Sequence, residues 1–134
     1  MSALRVLVVD DSEATLELTR FVLAADEFVV ESTTDSVNAY FLISNFQPDL
    51  ILMDIQMPGL DGLELTRRVK ADPEMQHIVV VAFTAFAMQG DEAKMRAAGC
   101  DGYIAKPFDV ATFAQRVLSY AREPVDHRFQ VTRS

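Results

Sequence analysis

The chain has 134 residues, half of them hydrophobic, with twenty acidic and twelve basic side chains and a net charge of -8 at pH 7. That length and composition suit a single domain with an ordinary core. The acidic balance argues against a surface that grips nucleic acid through its phosphates, which needs clustered Lys and Arg. Cys100 is the single cysteine, which excludes an internal disulfide and fits a reducing compartment. The longest apolar run, Ile78 to Phe83, is far too short to span a bilayer, and Met1-Ser2-Ala3 leads straight into a strand pattern without a leader. A soluble, cytoplasmic protein that binds neither membrane nor nucleic acid is the expectation.

Strand and helix patterns alternate along the chain. Residues 4–9 read as the first strand, and Ser12 can cap a helix with the apolar stripe Ala14, Leu18, Phe21, Val22 and Ala25. A second strand is expected at 28–33. Asp35 or Ser36 then opens a helix with Val37, Tyr40, Phe41 and Ser44 on one face, and Pro48 prevents its continuation. A third strand at 49–53 precedes a helix that begins near Asp61 and carries Leu65 and Val69 four apart. The fourth strand, 78–83, is followed by a helix from Gly90-Asp91 to Gly99, a natural left-handed terminator. A fifth strand at 102–105 leads to a helix opening at Asp109, with Val110, Phe113, Ala114, Val117, Leu118 and Ala121 as its stripe and Pro124 as its stop. Residues 1–122 form the expected domain and 123–134 a polar tail.

Several of these strands are apolar at every position, as parallel strands covered on both faces are. Right-handed crossovers then leave few arrangements. The expected fold is α/β, a doubly wound (βα)5 domain of the flavodoxin-like kind, with a five-stranded parallel sheet in the order 2-1-3-4-5. Ligands in such sheets bind beyond the carboxyl ends of the strands, at the switch point between strands one and three.

Five chemistry-bearing residues fall at those ends: Asp10 and Asp11 after strand one, Asp54 after strand three, Thr84 after strand four and Lys106 after strand five. Taken singly, an Asp at a strand end is usually a cap or turn residue, a Thr structural and a Lys solvated. Taken together, one topology gathers three carboxylates, a hydroxyl and an ammonium at a single edge. That set suits a divalent metal and a phosphoryl group. Gly59 and Gly62, which flank the loop after Asp54, read as plain turn chemistry. His77 and His127 lack metal-ligand companions, the methionines read as core filler, and Cys100 reads as packing.

The same residues carry a resemblance. Val8-Val9-Asp10-Asp11-Ser12, the run from Asp49 through Asp54 to Gly62, Phe83-Thr84-Ala85, and Gly102-Tyr103-Ile104-Ala105-Lys106-Pro107-Phe108 resemble the response-regulator receiver domain of two-component signalling, at receiver spacing. Phe86 to Asp91 is similar to stand-alone receivers of the DivK sort. The resemblance implies that Asp54 is the phosphoacceptor, taking a phosphoryl group from a histidine kinase or histidine phosphotransfer protein. It implies Mg2+ (or Mn2+), held directly by Asp11 and Asp54 and the backbone carbonyl of Gln56, and through water by Asp10. Lys106 and Thr84 would bind the phosphoryl oxygens, Thr84 and Tyr103 would form the switch, and Pro107 would follow a cis bond. The readout would be helix four, strand five and helix five, contacting a downstream protein target, in a monomer or weak dimer. Gln56 and Phe86, two residues beyond Asp54 and Thr84, would tune dephosphorylation.

Such a protein catalyses only its own phosphorylation and dephosphorylation and is no enzyme in the wider sense. The few residues after the fifth helix lead us to expect output through protein contacts rather than a DNA-binding domain. A receiver module of a longer response regulator or hybrid kinase is the alternative. A phosphohydrolase using an aspartyl phosphate needs a second carboxylate where Gln56 stands. An FMN carrier needs backbone donors where the acidic loop Asp10-Asp11-Ser12-Glu13 stands.

Overall fold

In the computed structural model, residues 3–55, 61–85 and 89–122 are described, without the side chains of 89–91. The β-branched runs form strands β1 (Arg5–Val9), β2 (Val29–Thr33), β3 (Leu50–Met53), β4 (Val79–Thr84) and β5 (Gly102–Ala105). They alternate with helices α1 (Glu13–Ala25), α2 (Ser36–Phe46), α3 (Gly62–Ala71), α4 (Gln89–Ala98) and α5 (Val110–Arg122). All strand pairings are parallel and the order is β2-β1-β3-β4-β5, as the alternation of elements led us to expect. Gln56, Gly59 and Phe86, and the tail 123–134, lie outside the described residues.

Side chains alternate across the pleat, so neighbouring residues in each strand serve opposite faces. Val6, Val8, Leu50, Leu52, Val81 and Phe83 pack with Leu16, Leu23, Phe113 and Val117 beneath α1 and α5. Leu7, Val9, Ile51, Met53, Val80 and Ala82 pack with Ile43, Leu65, Val69 and Met95 beneath α2, α3 and α4. This is why the interior positions of the central strands are apolar, with Arg5 and Thr84 standing only at strand ends.

Local chemistry fixes the helix starts. Ser12 Oγ accepts from the Thr15 amide, Asp35 from Val37, and Asp61 from Glu64, each filling an orphan donor of a first turn. At the end of α4, Gly99 takes φ +104°, the left-handed conformation that stops a helix. A buried ion pair locks the far end of the molecule: Lys70 Nζ donates to Asp101 Oδ2 at 2.8 Å and to the Ile78 carbonyl at 2.7 Å, while the same Asp101 oxygen accepts from the Val80 amide.

Three expected helix faces are corrected. On α1 the buried side is Leu16, Thr19, Val22 and Leu23; of the expected stripe only Val22 is buried, and Phe21 is 76% exposed. The cause is Thr19, whose hydroxyl bonds back to the Thr15 and Leu16 carbonyls and so enters the core without an unmet donor. On α2 the buried side is Ser36, Ala39, Ile43 and Phe46, whereas Val37 and Phe41 are 61% and 66% exposed. Ser36 and Ala39 are small enough to bring α2 close to the sheet, and the larger side chains are turned outward. On α5, Val110 is exposed and Tyr120 joins the buried face with Phe113, Ala114 and Val117.

The corrected α1 face gives a direct check. Leu23→Ala is expected to cost about 2–5 kcal/mol in urea unfolding, and Phe21→Ser to change stability by less than about 0.5 kcal/mol. Cys100 gives a second. Burial pushes its thiol from 9.0 up to about 11, with a contact to Thr66 and the Lys70 charge opposing. The folded state therefore holds that proton more tightly than the unfolded chain does. Its contribution to stability is present below about pH 9 and is lost as pH rises to about 11. The urea midpoint is expected to fall less steeply over that interval in Cys100→Ala than in the wild type.

Candidate functional site

Hydrogen bonds between strand ends build the site before any side chain is considered. The Asp10 amide donates to the Thr33 carbonyl, the Asp54 amide to the Val9 carbonyl at 2.8 Å, and the Lys106 amide to the Thr84 carbonyl at 2.8 Å. Each bond extends the sheet ladder by one step, so the residues just past the strands stay in register with one another. Thr84 is itself the last residue of β4.

The side chains then converge. Carboxylate oxygens of Asp10, Asp11 and Asp54 all lie within 4.8 Å of one another, with Asp10 and Asp54 buried and Asp11 exposed. Lys106 Nζ donates to Asp10 Oδ2 and stands 3.6 Å from Asp54 Oδ2. The other Asp10 oxygen accepts from the Ser12 amide at 2.9 Å, which aims the carboxylate into the cluster. The Lys106 ammonium also lies 4.9 Å from the centre of the Phe83 ring, a favourable cation–aromatic placement. Phe83, Phe108 and Phe113 pack on one another behind it, the last two stacked 4.0 Å apart. The Lys106–Pro107 peptide bond is cis. Thr84 is 1% exposed at the same edge, and Tyr103 on β5 is half-buried.

The five residues singled out from the sequence are thus brought to one place. Two carboxylate oxygens on one magnesium, each roughly 2.1 Å from the ion, would lie no more than about 4.2 Å apart, and a third held through water would stand slightly further out. The spacing found here is close to that, and an all-oxygen donor set with one exposed member suits a hard cation that keeps some of its waters. Gln56 and Phe86 have no described geometry.

Gly62 was open to a fuller reading than turn chemistry. As the first residue of α3, it places its α-carbon against the Asp54 backbone: a Cβ there would lie 2.1 Å from the Asp54 carbonyl oxygen. Only glycine lets the start of α3 sit this close under the carboxyl end of β3. The sequence signal was a glycine directly after the Asp61 cap, where a helix gains nothing from it.

Residues 6–118 match the response regulator receiver domain, and the chain belongs to that family. It is 44% identical over 115 residues to the polar-differentiation response regulator DivK of Brucella anthropi, spanning 86% of this chain and 94% of that one. The DivK of Brucella ovis matches at the same identity and coverage. Among solved structures, a putative response regulator from Chloroflexus aurantiacus superposes with a TM-score of 0.85 at 26% identity, covering 91% of this chain and 100% of that chain. The Vibrio cholerae chemotaxis protein CheY4 does so with 0.81 at 25% identity, covering 87% and 99%. The protein is a receiver domain of two-component signalling, a class that works as a phosphoacceptor switch. Among the described residues no helix is long and apolar enough to cross a membrane.

Gly62→Ala tests how tightly the site is built. Forcing a methyl group into the Asp54 carbonyl is expected to cost on the order of 1–3 kcal/mol in urea unfolding, net of the roughly 0.5–1 kcal/mol that alanine gains in helix propensity.

Proposed function

We propose that the protein is a phosphorylation switch in which Asp54 accepts a phosphoryl group from a histidine kinase or histidine phosphotransfer protein and the altered fold contacts a downstream protein in the cytoplasm. The observation that carries this reading is the gathering of Asp10, Asp11 and Asp54 within 4.8 Å, with Lys106 3.6 Å from Asp54. An Asp54 oxygen attacks phosphorus, the bond to the donor histidine breaks, and the imidazole leaves with the electron pair. Asp11, Asp54 and the Gln56 carbonyl, with Asp10 through water, would hold Mg2+ (or Mn2+), which would supply positive charge toward the transferring group. Lys106 neutralises a phosphoryl oxygen, and the Thr84 hydroxyl donates to another. Before transfer, Lys106 rests on Asp10, so the ammonium is already at the edge where new negative charge arrives.

The donor's histidine must reach Asp54 from outside the sheet edge. Beside that edge α1 and α5 expose Leu18, Phe21 and Val110, and a cavity of about 280 Å3 opens between Leu18, Ala85, Pro107 and Phe108. This apolar border suits the side of a helical donor. Thr84 and Tyr103 form the switch, and the face of α4, β5 and α5 forms the output surface of a monomer or weak dimer. Residues 1–122 act as the receiver unit and 123–134 as its tail. Gln56 and Phe86 set the lifetime of the phosphorylated state, an apolar Phe86 hindering the hydrolytic water; Phe86→Glu is expected to speed its decay.

Incubation with acetyl phosphate and magnesium, followed by intact mass, is expected to add one phosphoryl group to the wild type and none to Asp54→Asn. Lys106→Met is expected to slow labelling by roughly a hundredfold or more. Undiminished labelling of Asp54→Asn rejects the assignment.

A further inference from the structure

The output side of the molecule contains a joint that the phosphoryl chemistry does not use. Tyr120, near the end of α5, is 2% exposed. Its hydroxyl donates to the backbone carbonyl of Tyr103 at 2.8 Å. Its ring lies on the neighbouring residue: a Cβ at Gly102 would come within 2.2 Å of Tyr120 Cε1. The ring thus occupies the space that any side chain at 102 would fill, and the hydroxyl grips the next peptide along. β5 is an edge strand with β4 on one side only, so one side of its backbone is not paired to another strand. Tyr120 closes that gap at the residue read above as the aromatic switch.

The joint reaches the surface. Burial pushes the Tyr120 hydroxyl above the ordinary tyrosine range, and the nearby Arg116 guanidinium opposes it. Arg116 stands one turn earlier on α5 and is half-buried. The path from the switch residue to the outside of the helix therefore consists of one hydrogen bond, one ring and one helical turn.

We propose that Tyr120 is a positioning residue that joins the β5 backbone at Tyr103 to α5, so that a change at Tyr103 is carried into the helix. The inference rests on the switch reading given above. A rotation of Tyr103 strains or relaxes its own carbonyl, and the Tyr120 hydroxyl makes α5 follow. Without the hydroxyl, Tyr103 still turns but α5 no longer registers it. Tyr120→Phe isolates this step, because it keeps the ring against Gly102 and removes a single oxygen.

The test is NMR of the full chain with and without acetyl phosphate and magnesium, with labelling followed by intact mass. In the wild type, the Tyr103 ring resonances and the α5 amides from Arg116 to Ala121 are expected to shift together. In Tyr120→Phe, labelling is expected to stay within twofold of the wild type and the Tyr103 ring shift to persist. The α5 amide shifts are expected to fall to less than a third. A loss of packing alone would lower stability without separating the two sets of signals. Equal α5 shifts in the variant overturn the inference and leave the phosphoacceptor reading standing. A labelled wild type with an unmoved Tyr103 ring overturns the inference together with the switch. Absence of labelling in the wild type overturns the function on which both rest.

Discussion

Three carboxylates held within 4.8 Å of one another are the costly arrangement around which the rest is organised. Two like charges about 4 Å apart repel by roughly 4 kcal/mol at the effective dielectric of a protein edge. Asp10 cannot relax into solvent, being fully buried. Lys106 is the compensating cation, and much of the C-terminal half serves to hold it. Its amide is tied to Thr84, its ammonium lies over Phe83, and the Phe108–Phe113 stack stands behind. A divalent ion at this cluster would convert each repulsion into a shared attraction.

The energetics of switching follow from the same geometry. A charge-assisted hydrogen bond from the Thr84 hydroxyl is worth roughly 1.5–3 kcal/mol, whereas turning a 1:99 population into 99:1 takes about 5.5 kcal/mol. One hydroxyl therefore cannot drive the transition by itself. In the proposed switch Lys106 would leave or share Asp10, and the backbone bond between Thr84 and Lys106 would couple the ends of β4 and β5 to it. Phosphorylation at this edge, as proposed, would thus act on two strands at once.

Much of this was legible in the sequence. The strand runs, the parallel order and the five residues at the carboxyl edge all followed from apolar segments ending in charged or polar residues, a pattern that survives without knowledge of packing. The outward faces of α1 and α2 were not legible. Thr19 counts as polar in any periodicity, yet it hides its hydroxyl in its own helix. On α2, Ser36 and Ala39 are buried because they are small, and the aromatic Phe41 is left outside. The role of Gly62 was hidden for a different reason: a close approach between α3 and the Asp54 carbonyl is a fact of three dimensions, and the sequence shows only a glycine after a cap. Tyr120 was missed because its partner is a backbone carbonyl seventeen residues away.

Residues adjacent in each strand belong to separate cores, Val8 to the layer under α1 and α5 and Val9 to the layer under α2, α3 and α4. The sheet is consequently a partition as well as a scaffold. Selection can refit the first layer, and the border of Leu18, Phe21 and Val110 above it, proposed as the donor's docking side, while the second keeps its packing untouched. A duplicated copy of such a domain can diverge in its allegiance without first becoming less stable.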